Sequence, residues 1–164
     1  MPIGRVIQGM VSSMSTPEFL SQNFQLSELA YSEKAKLLGI DNTPPDCVVE
    51  CLKVLCTTIL QPARDALGPL IISSGYRCPA LNRAVGGSDT SGHKLGYCAD
   101  VLPVKVTKLE FAKWVIKNVA FDQVILEFGD ITEPAWIHVS CDPRNRKQVL
   151  RILSGRNYEP VVLA

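Results

Sequence analysis

The sequence predicts an α+β domain, with helices first and strands later. Helical periodicity fills residues 27–66 and returns once near residue 107, whereas runs rich in Val, Ile and Leu cluster after residue 69 on short links. Strict alternation of strands with helices would have indicated a parallel βαβ repeat, and this order favours α+β instead. No internal repeat, low-complexity run or long linker interrupts the chain. One domain is therefore expected over residues 23–164, after an N-terminal extension at 1–22.

The elements follow in order. Ser27 is placed to cap a short helix through residue 31, and a second short helix, Glu33–Leu38, ends at Gly39, a natural helix terminator. Residues 41–46 form a turn that starts the next helix, with Thr43 as cap, Pro44 and Pro45 in the first turn, and Asp46 at the positive end of the helix dipole. Val48, Val49, Leu52, Leu55, Ile59 and Leu60 then give an apolar stripe at helical spacing, so a long core helix should run to about residue 66, kinked near Pro62. Leu70–Ser74 reads as a buried strand and residues 97–102 as another. Thr107 and Glu110 form a capping box that opens an amphipathic helix presenting Leu109, Ala112, Trp114, Val115 and Ile116 to a sheet. Residues 121–128 and 135–141 are two further strands, and residues 148–153 and 158–163 suggest a closing hairpin.

Composition narrows the function classes. A chain of 164 residues, 46% hydrophobic and 20% charged, is long enough to bury about 70% of its unfolded surface and needs no disulfide to hold a core. Its 17 basic and 16 acidic residues leave a net charge of +1, which excludes a strongly basic nucleic-acid binder. No run approaches the roughly 18 apolar residues of a membrane span. Residues 1–11 carry one positive charge and an apolar stretch broken by Gln8 and Gly9, a poor secretory signal, and Met10 and Met14 offer alternative starts. Cytoplasmic synthesis is expected, with all six cysteines as thiols and Cys47, Cys51 and Cys56 serving as small buried hydrophobes.

The chain has only two histidines, so their placement matters. His93 lies in Ser91-Gly92-His93-Lys94-Leu95-Gly96-Tyr97-Cys98-Ala99-Asp100, just before and into a predicted strand, and a polar, glycine-rich loop at 86–92 can bend it toward Asp100. His138 lies within Trp136-Ile137-His138-Val139-Ser140, in the middle of another strand. Two imidazoles and one carboxylate make a zinc site of the open, catalytic kind. Taken singly, a strand histidine beside a tryptophan is more often a satisfied core residue than a ligand, and Asp100 reads as an acceptor for turn amides, so spacing alone leaves zinc the minority reading.

The wider context adds weight to the metal. The segment 91–100 resembles the Ser-x-His-x-x-Gly-x-Ala-x-Asp motif of the zinc D-Ala-D-Ala carboxypeptidase group of murein peptidases, with Cys98 as its one departure. That group includes phage endolysins and vancomycin-resistance dipeptidases and shares its fold with the hedgehog signalling domain. The resemblance extends to Ile72-Ser73-Ser74-Gly75-Tyr76-Arg77-Cys78-Pro79-Ala80-Leu81-Asn82, Val85-Gly86-Gly87, the strand around His138, Phe24-Gln25-Leu26-Ser27-Glu28-Leu29 and Gly39-Ile40-Asp41-Asn42-Thr43-Pro44-Pro45. It implies a small antiparallel sheet carrying the metal, with helices on one face. It also implies one zinc per chain held by His93, Asp100 and His138, with Arg77 gripping a substrate carboxylate and Ser91 positioning substrate. Tyr76, Asn82 and the Gly86-Gly87 turn are expected as site architecture.

Peptide hydrolysis needs a carboxylate to move the proton of the attacking water to the leaving amine. Many members of the group place an acid three residues before the last histidine, where this chain has Ala135. Glu127, at the end of a strand resembling the hedgehog-type strand that ends in glutamate, is the preferred replacement, and Glu133 in the following loop is the alternative. Cys98 falls on the same strand face as Asp100. Its simplest reading is a small side chain packed behind the site, and its alternative a thiol that competes for zinc or sensitises the protein to oxidation.

The function expected is a zinc murein peptidase, acting as a monomer on peptidoglycan peptides, without nucleic-acid partners. Made without a signal, it would reach the wall on release by lysis or from a virion. Its competitors are a catalytically silent zinc-site domain that binds wall or partner, and a virion component. The basic residues Arg144, Arg146, Lys147 and Arg151 are read as a solvated strand face rather than as a polymer-binding patch.

Overall fold

The computed structural model describes residues 18–130 and 132–163. Of the expected extension at 1–22, residues 1–17, and with them Met10 and Met14, lie outside the described residues, while Leu20 is buried in the core. Helix α1 (Leu26–Leu29) begins at Gln25 without a side-chain cap, and Ser27 instead bonds the Gln25 side chain. Helix α2 (Glu33–Leu38) closes on Gly39 at φ 62, as its sequence requires, and is capped by Ser32, whose hydroxyl accepts from the Ala35 amide. Thr43 does not cap the next helix, because the cap position falls two residues later, on Pro45, and the Thr43 hydroxyl donates to Asp41 at 2.6 Å.

The long core helix is one continuous rod with a widened turn. Helix α3 (Asp46–Leu55) passes through a π-helical turn (Cys56–Leu60) into α4 (Gln61–Leu67). Pro62, which has no amide hydrogen, falls in the first turn of α4, and the widened turn sits just ahead of it. Thr57 and Thr58 donate to the carbonyls of Lys53 and Val54 at 2.8 and 2.7 Å. Of the three cysteines on this rod only Cys56 is buried. Cys51 is half-buried and Cys47 exposed, so the expectation of three buried thiols fails for the two that leave the Val48, Val49, Leu52, Leu55 stripe.

The strands are β1 (Leu70–Ser74), β2 (Cys98–Pro103), β3 (Gln123–Glu127), β4 (Trp136–Ser140), β5 (Gln148–Ile152) and β6 (Glu159–Pro160). They form one sheet in the order β1-β2-β4-β3-β5-β6. The sheet is mixed rather than purely antiparallel, since β5 runs parallel to β3 while every other pairing is antiparallel. The cause is the link at 141–147, which carries the chain past the start of β3 to its far side. Asp122, just before β3, is buried and ion-paired to Arg146 on that link. The closing hairpin forms, but β6 spans only two residues.

Helix α5 (Pro79–Ala84), which the sequence reading did not anticipate, follows β1, and α6 (Lys108–Asn118) opens with the expected Thr107–Glu110 capping box. Alternation along the strands separates two faces. Ala99, Val101, Val124, Leu126, Ile137 and Val139 join Leu52, Leu55, Phe111, Ala112 and Val115 in the core, and α6 lies across β2, β3 and β4. Each Val, Leu, Ile or Phe among them contributes about 1.5–3 kcal/mol through burial. The opposite face carries Asp100, Ile125, Glu127, Trp136 and His138 and borders a cleft.

Candidate metal centre

Strand register places the polar side chains of the cleft. Asp100 on β2 pairs directly with His138 on β4, so both point to the open face at the centre of the sheet. On β3, Ile125 stands opposite His138 and Glu127 opposite Trp136. Glu127 therefore approaches His138 on the diagonal rather than directly across.

His93 arrives differently from the sequence reading. It sits, itself buried, in a 3-10 turn, Gly92–Leu95, that ends at Gly96 with φ 75, not in a lead into strand. A Cβ on Gly96 would stand 2.8 Å from the Val48 carbonyl oxygen, so only glycine lets this turn press against α3.

These elements converge on one carboxylate oxygen. Asp100 Oδ1 lies 3.3 Å from His93 Nε2 and 2.9 Å from His138 Nδ1. His93 Nδ1 is 2.7 Å from the Gly75 carbonyl oxygen, which can only accept, so Nδ1 carries the hydrogen and Nε2 is left as the donor atom facing the cluster. Glu127 Oε1 is 4.0 Å from His138 Nδ1, and its other oxygen accepts from Trp136 Nε1 at 3.0 Å. Arg77 donates to Asp100 Oδ2 at 2.9 Å and to Ser74 Oγ at 2.9 Å, with Nη2 3.2 Å from His93 Nε2. Ser91 precedes the His93 turn and lines the same cleft, of about 960 Å³, beside Tyr76 and Gly86.

Glu133 lies elsewhere. It is exposed, ion-paired to Lys108, and held in a turn by the Asp130 side chain, outside the residues that line the cleft. Cys98 is fully buried and points into the centre, where its Sγ and one ring nitrogen from each histidine lie within 4.8 Å of one another. Asp100, Glu127 and His138 form a second such group.

The side chains perturb one another strongly. Burial would lower the pKa of His93, but Cys98 and Asp100 outweigh it and raise it to about 9, and His138 is raised by the same neighbours. Asp100, despite burial, is held well below the usual carboxylate range by the two imidazoles. Burial pushes Glu127 above the ordinary glutamate value, opposed by His138 and assisted by Asp100. The cluster thus attracts positive charge, and a divalent cation brings the charge that two imidazole protons would. Two nitrogens and a carboxylate are a zinc donor set, and tetrahedral ligands at zinc distances stand about 3.3 Å apart, close to the two separations around Asp100 Oδ1. The residues fit the metal.

Sequence reasoning missed three contributions. The Gly75 carbonyl that orients His93 sits inside the motif block at 72–82 but carries no side-chain signal. Trp136, the partner of Glu127, was visible as a residue two positions before His138. Arg156 and Tyr158 line the cleft from the segment after β5, and Arg156 reaches across to the Gly86 carbonyl at 3.0 Å, a juxtaposition that only the folded chain reveals.

Two comparisons bear on this chain. A family model described as Peptidase M15 matches residues 22–140, more than half of the chain. No curated protein matches it.

Proposed function

The chain belongs to the peptidase M15 family, a family of zinc metallopeptidases, and from that premise we propose that it hydrolyses peptide bonds in the stem or cross-link of bacterial peptidoglycan. The observation that carries the reading is the meeting of both histidines of the chain on one oxygen of Asp100, with Glu127 beside them, inside an open cleft. His93, Asp100 and His138 would hold the zinc. When bound, the ion supplies Lewis acidity to the scissile carbonyl and lowers the pKa of the attacking water.

The chain's own groups do the rest. Glu127 is fixed by Trp136 so that one carboxylate oxygen stays free toward His138, and it takes the proton of the attacking water and returns it to the leaving amine. Arg77 holds a terminal carboxylate of the peptide with two parallel donors. In this structure its Nη2 donates to Asp100 Oδ2 and lies 3.2 Å from His93 Nε2, the atom that would hold the metal, so the guanidinium stands at the edge of the centre. Ser91, at the rim, positions the peptide. The same reading has the protein made in the cytoplasm and delivered to the wall by lysis or from a virion, as in the phage endolysins it resembles.

The test is mass spectrometry of muropeptides released from purified peptidoglycan, with chelator and with zinc restored. Products that vanish with chelator and return with zinc support the reading, and their masses identify the bond. Intact peptidoglycan after treatment with zinc-loaded protein would refute the substrate.

A further inference from the structure

We infer that Cys98 is itself a ligand to the metal, which makes the centre a two-histidine, carboxylate and thiolate site instead of the three-ligand site that the motif implies. The inference rests on the metallopeptidase reading above and concerns the one position at which this chain departs from the motif.

The geometry supplies the argument. Cys98 and Asp100 are two residues apart on β2 and share its open face, and Cys98 pairs in register with Ser140, two residues beyond His138 on β4. The thiol is free and its residue fully buried, and its sulfur groups with a nitrogen of each histidine within 4.8 Å. Both of those histidines also touch Asp100 Oδ1, so the sulfur and the carboxylate flank the same pair of imidazoles. The backbone opposite leaves room for the sulfur and little more, because a Cβ on Gly92 would stand 3.1 Å from Cys98 Sγ. A packing role needs only the alanine of the motif. Sulfur aimed at two imidazoles adds a donor of the soft kind, which binds zinc at about 2.3 Å. With sulfur as a fourth protein donor the attacking water would enter as a fifth ligand, an expansion that zinc accepts, and the centre favours zinc, cobalt and cadmium over magnesium, calcium and manganese.

The experiment is an anaerobic titration of the chelator-stripped full chain with Co2+, followed by absorption. The expected result is a near-ultraviolet thiolate-to-cobalt charge-transfer band that grows in step with the visible tetrahedral bands and saturates at one ion per chain. In Cys98→Ala and Cys98→Ser the visible bands should remain, the charge-transfer band should vanish, and Co2+ should bind at least about tenfold more weakly. One bound ion with visible bands but no charge-transfer band in the wild type would overturn the inference while leaving the metal site standing. So would a charge-transfer band that survives in Cys98→Ala. Failure of the wild type to bind Co2+ at all would overturn the metal site itself.

Discussion

Replacing Glu127 by glutamine separates proton transfer from geometry. The amide oxygen of the new side chain can still accept from Trp136 Nε1, the bond that is 3.0 Å in the wild type, and the volume beside His138 is unchanged. What disappears is a carboxylate able to take a proton. A positioned general base is worth about 10²–10⁴-fold in rate, or roughly 2.7–5.5 kcal/mol of barrier. The assay is product release from peptidoglycan peptides by liquid chromatography and mass spectrometry, on protein whose zinc content has been measured. Glu127→Gln should lower kcat by at least about 100-fold with KM within about threefold, because the loss falls on the transition state alone. Zinc content should stay at one per chain and the thermal midpoint should not move. Glu133→Gln, which removes an exposed loop carboxylate paired to Lys108, should stay within about twofold of wild type. A Glu127→Gln enzyme that keeps more than about a tenth of the wild-type rate, or a Glu133→Gln enzyme that loses as much, would refute this assignment of the base.

Arg77→Lys keeps the charge but loses the fork, so KM for substrates ending in a free carboxylate should rise by about 10–100-fold, measured against an amidated peptide that should show no change. In Gly75→Ala the added Cβ would stand 2.2 Å from the Leu29 carbonyl oxygen, and relief must displace the carbonyl that orients His93. Zinc affinity, read by competition with a chromophoric chelator, should drop by about 10–100-fold. Asp122→Ala removes the carboxylate that holds the side chain and the amide of Arg146 at the link into β5, a loss of about 1.5–3 kcal/mol, which lowers the thermal midpoint by roughly 3–12 °C for a domain of this size. Asp122 resists the upward push of burial because Arg146 holds its carboxyl below the usual range. Its stabilisation is therefore complete above the unfolded value of about 4 and is lost as pH falls through the lower folded value. Denaturation across that window should show a smaller acid-induced loss in Asp122→Asn than in the wild type, the remainder coming from the other carboxylates held low, such as Asp142.

Local signals were legible and long-range ones were not. Gly39, the Thr107–Glu110 box and the Leu70–Ser74 run each act through a few neighbouring residues, and each element formed where its sequence put it. Thr43 and Ser27 misled because both are good caps by type, whereas the helices start at Pro45 and Gln25, where neither hydroxyl can reach the free amides as a cap. The parallel pairing of β3 with β5 depends on which side of β3 the chain returns, a choice held by Asp122 and Arg146 across 24 positions of sequence. Around the centre, the residue types could be picked out, but the His93 turn and the Gly75 carbonyl behind it are properties of the backbone. The diagonal approach of Glu127 follows from register, which no composition rule supplies.

The chain from residue 141 onward has a bearing on how such a protein diversifies. Every group around Asp100 lies inside the span matched by the family model, which stops at residue 140. The far bank of the cleft is built by the residues beyond that point, with Arg144, Leu150, Ile152, Arg156 and Tyr158 along it. Arg77 and Ser91 thus face, across the cleft, a wall that the family model does not cover. Substitutions along residues 141–163 therefore reach one wall of the cleft without replacing any group around Asp100.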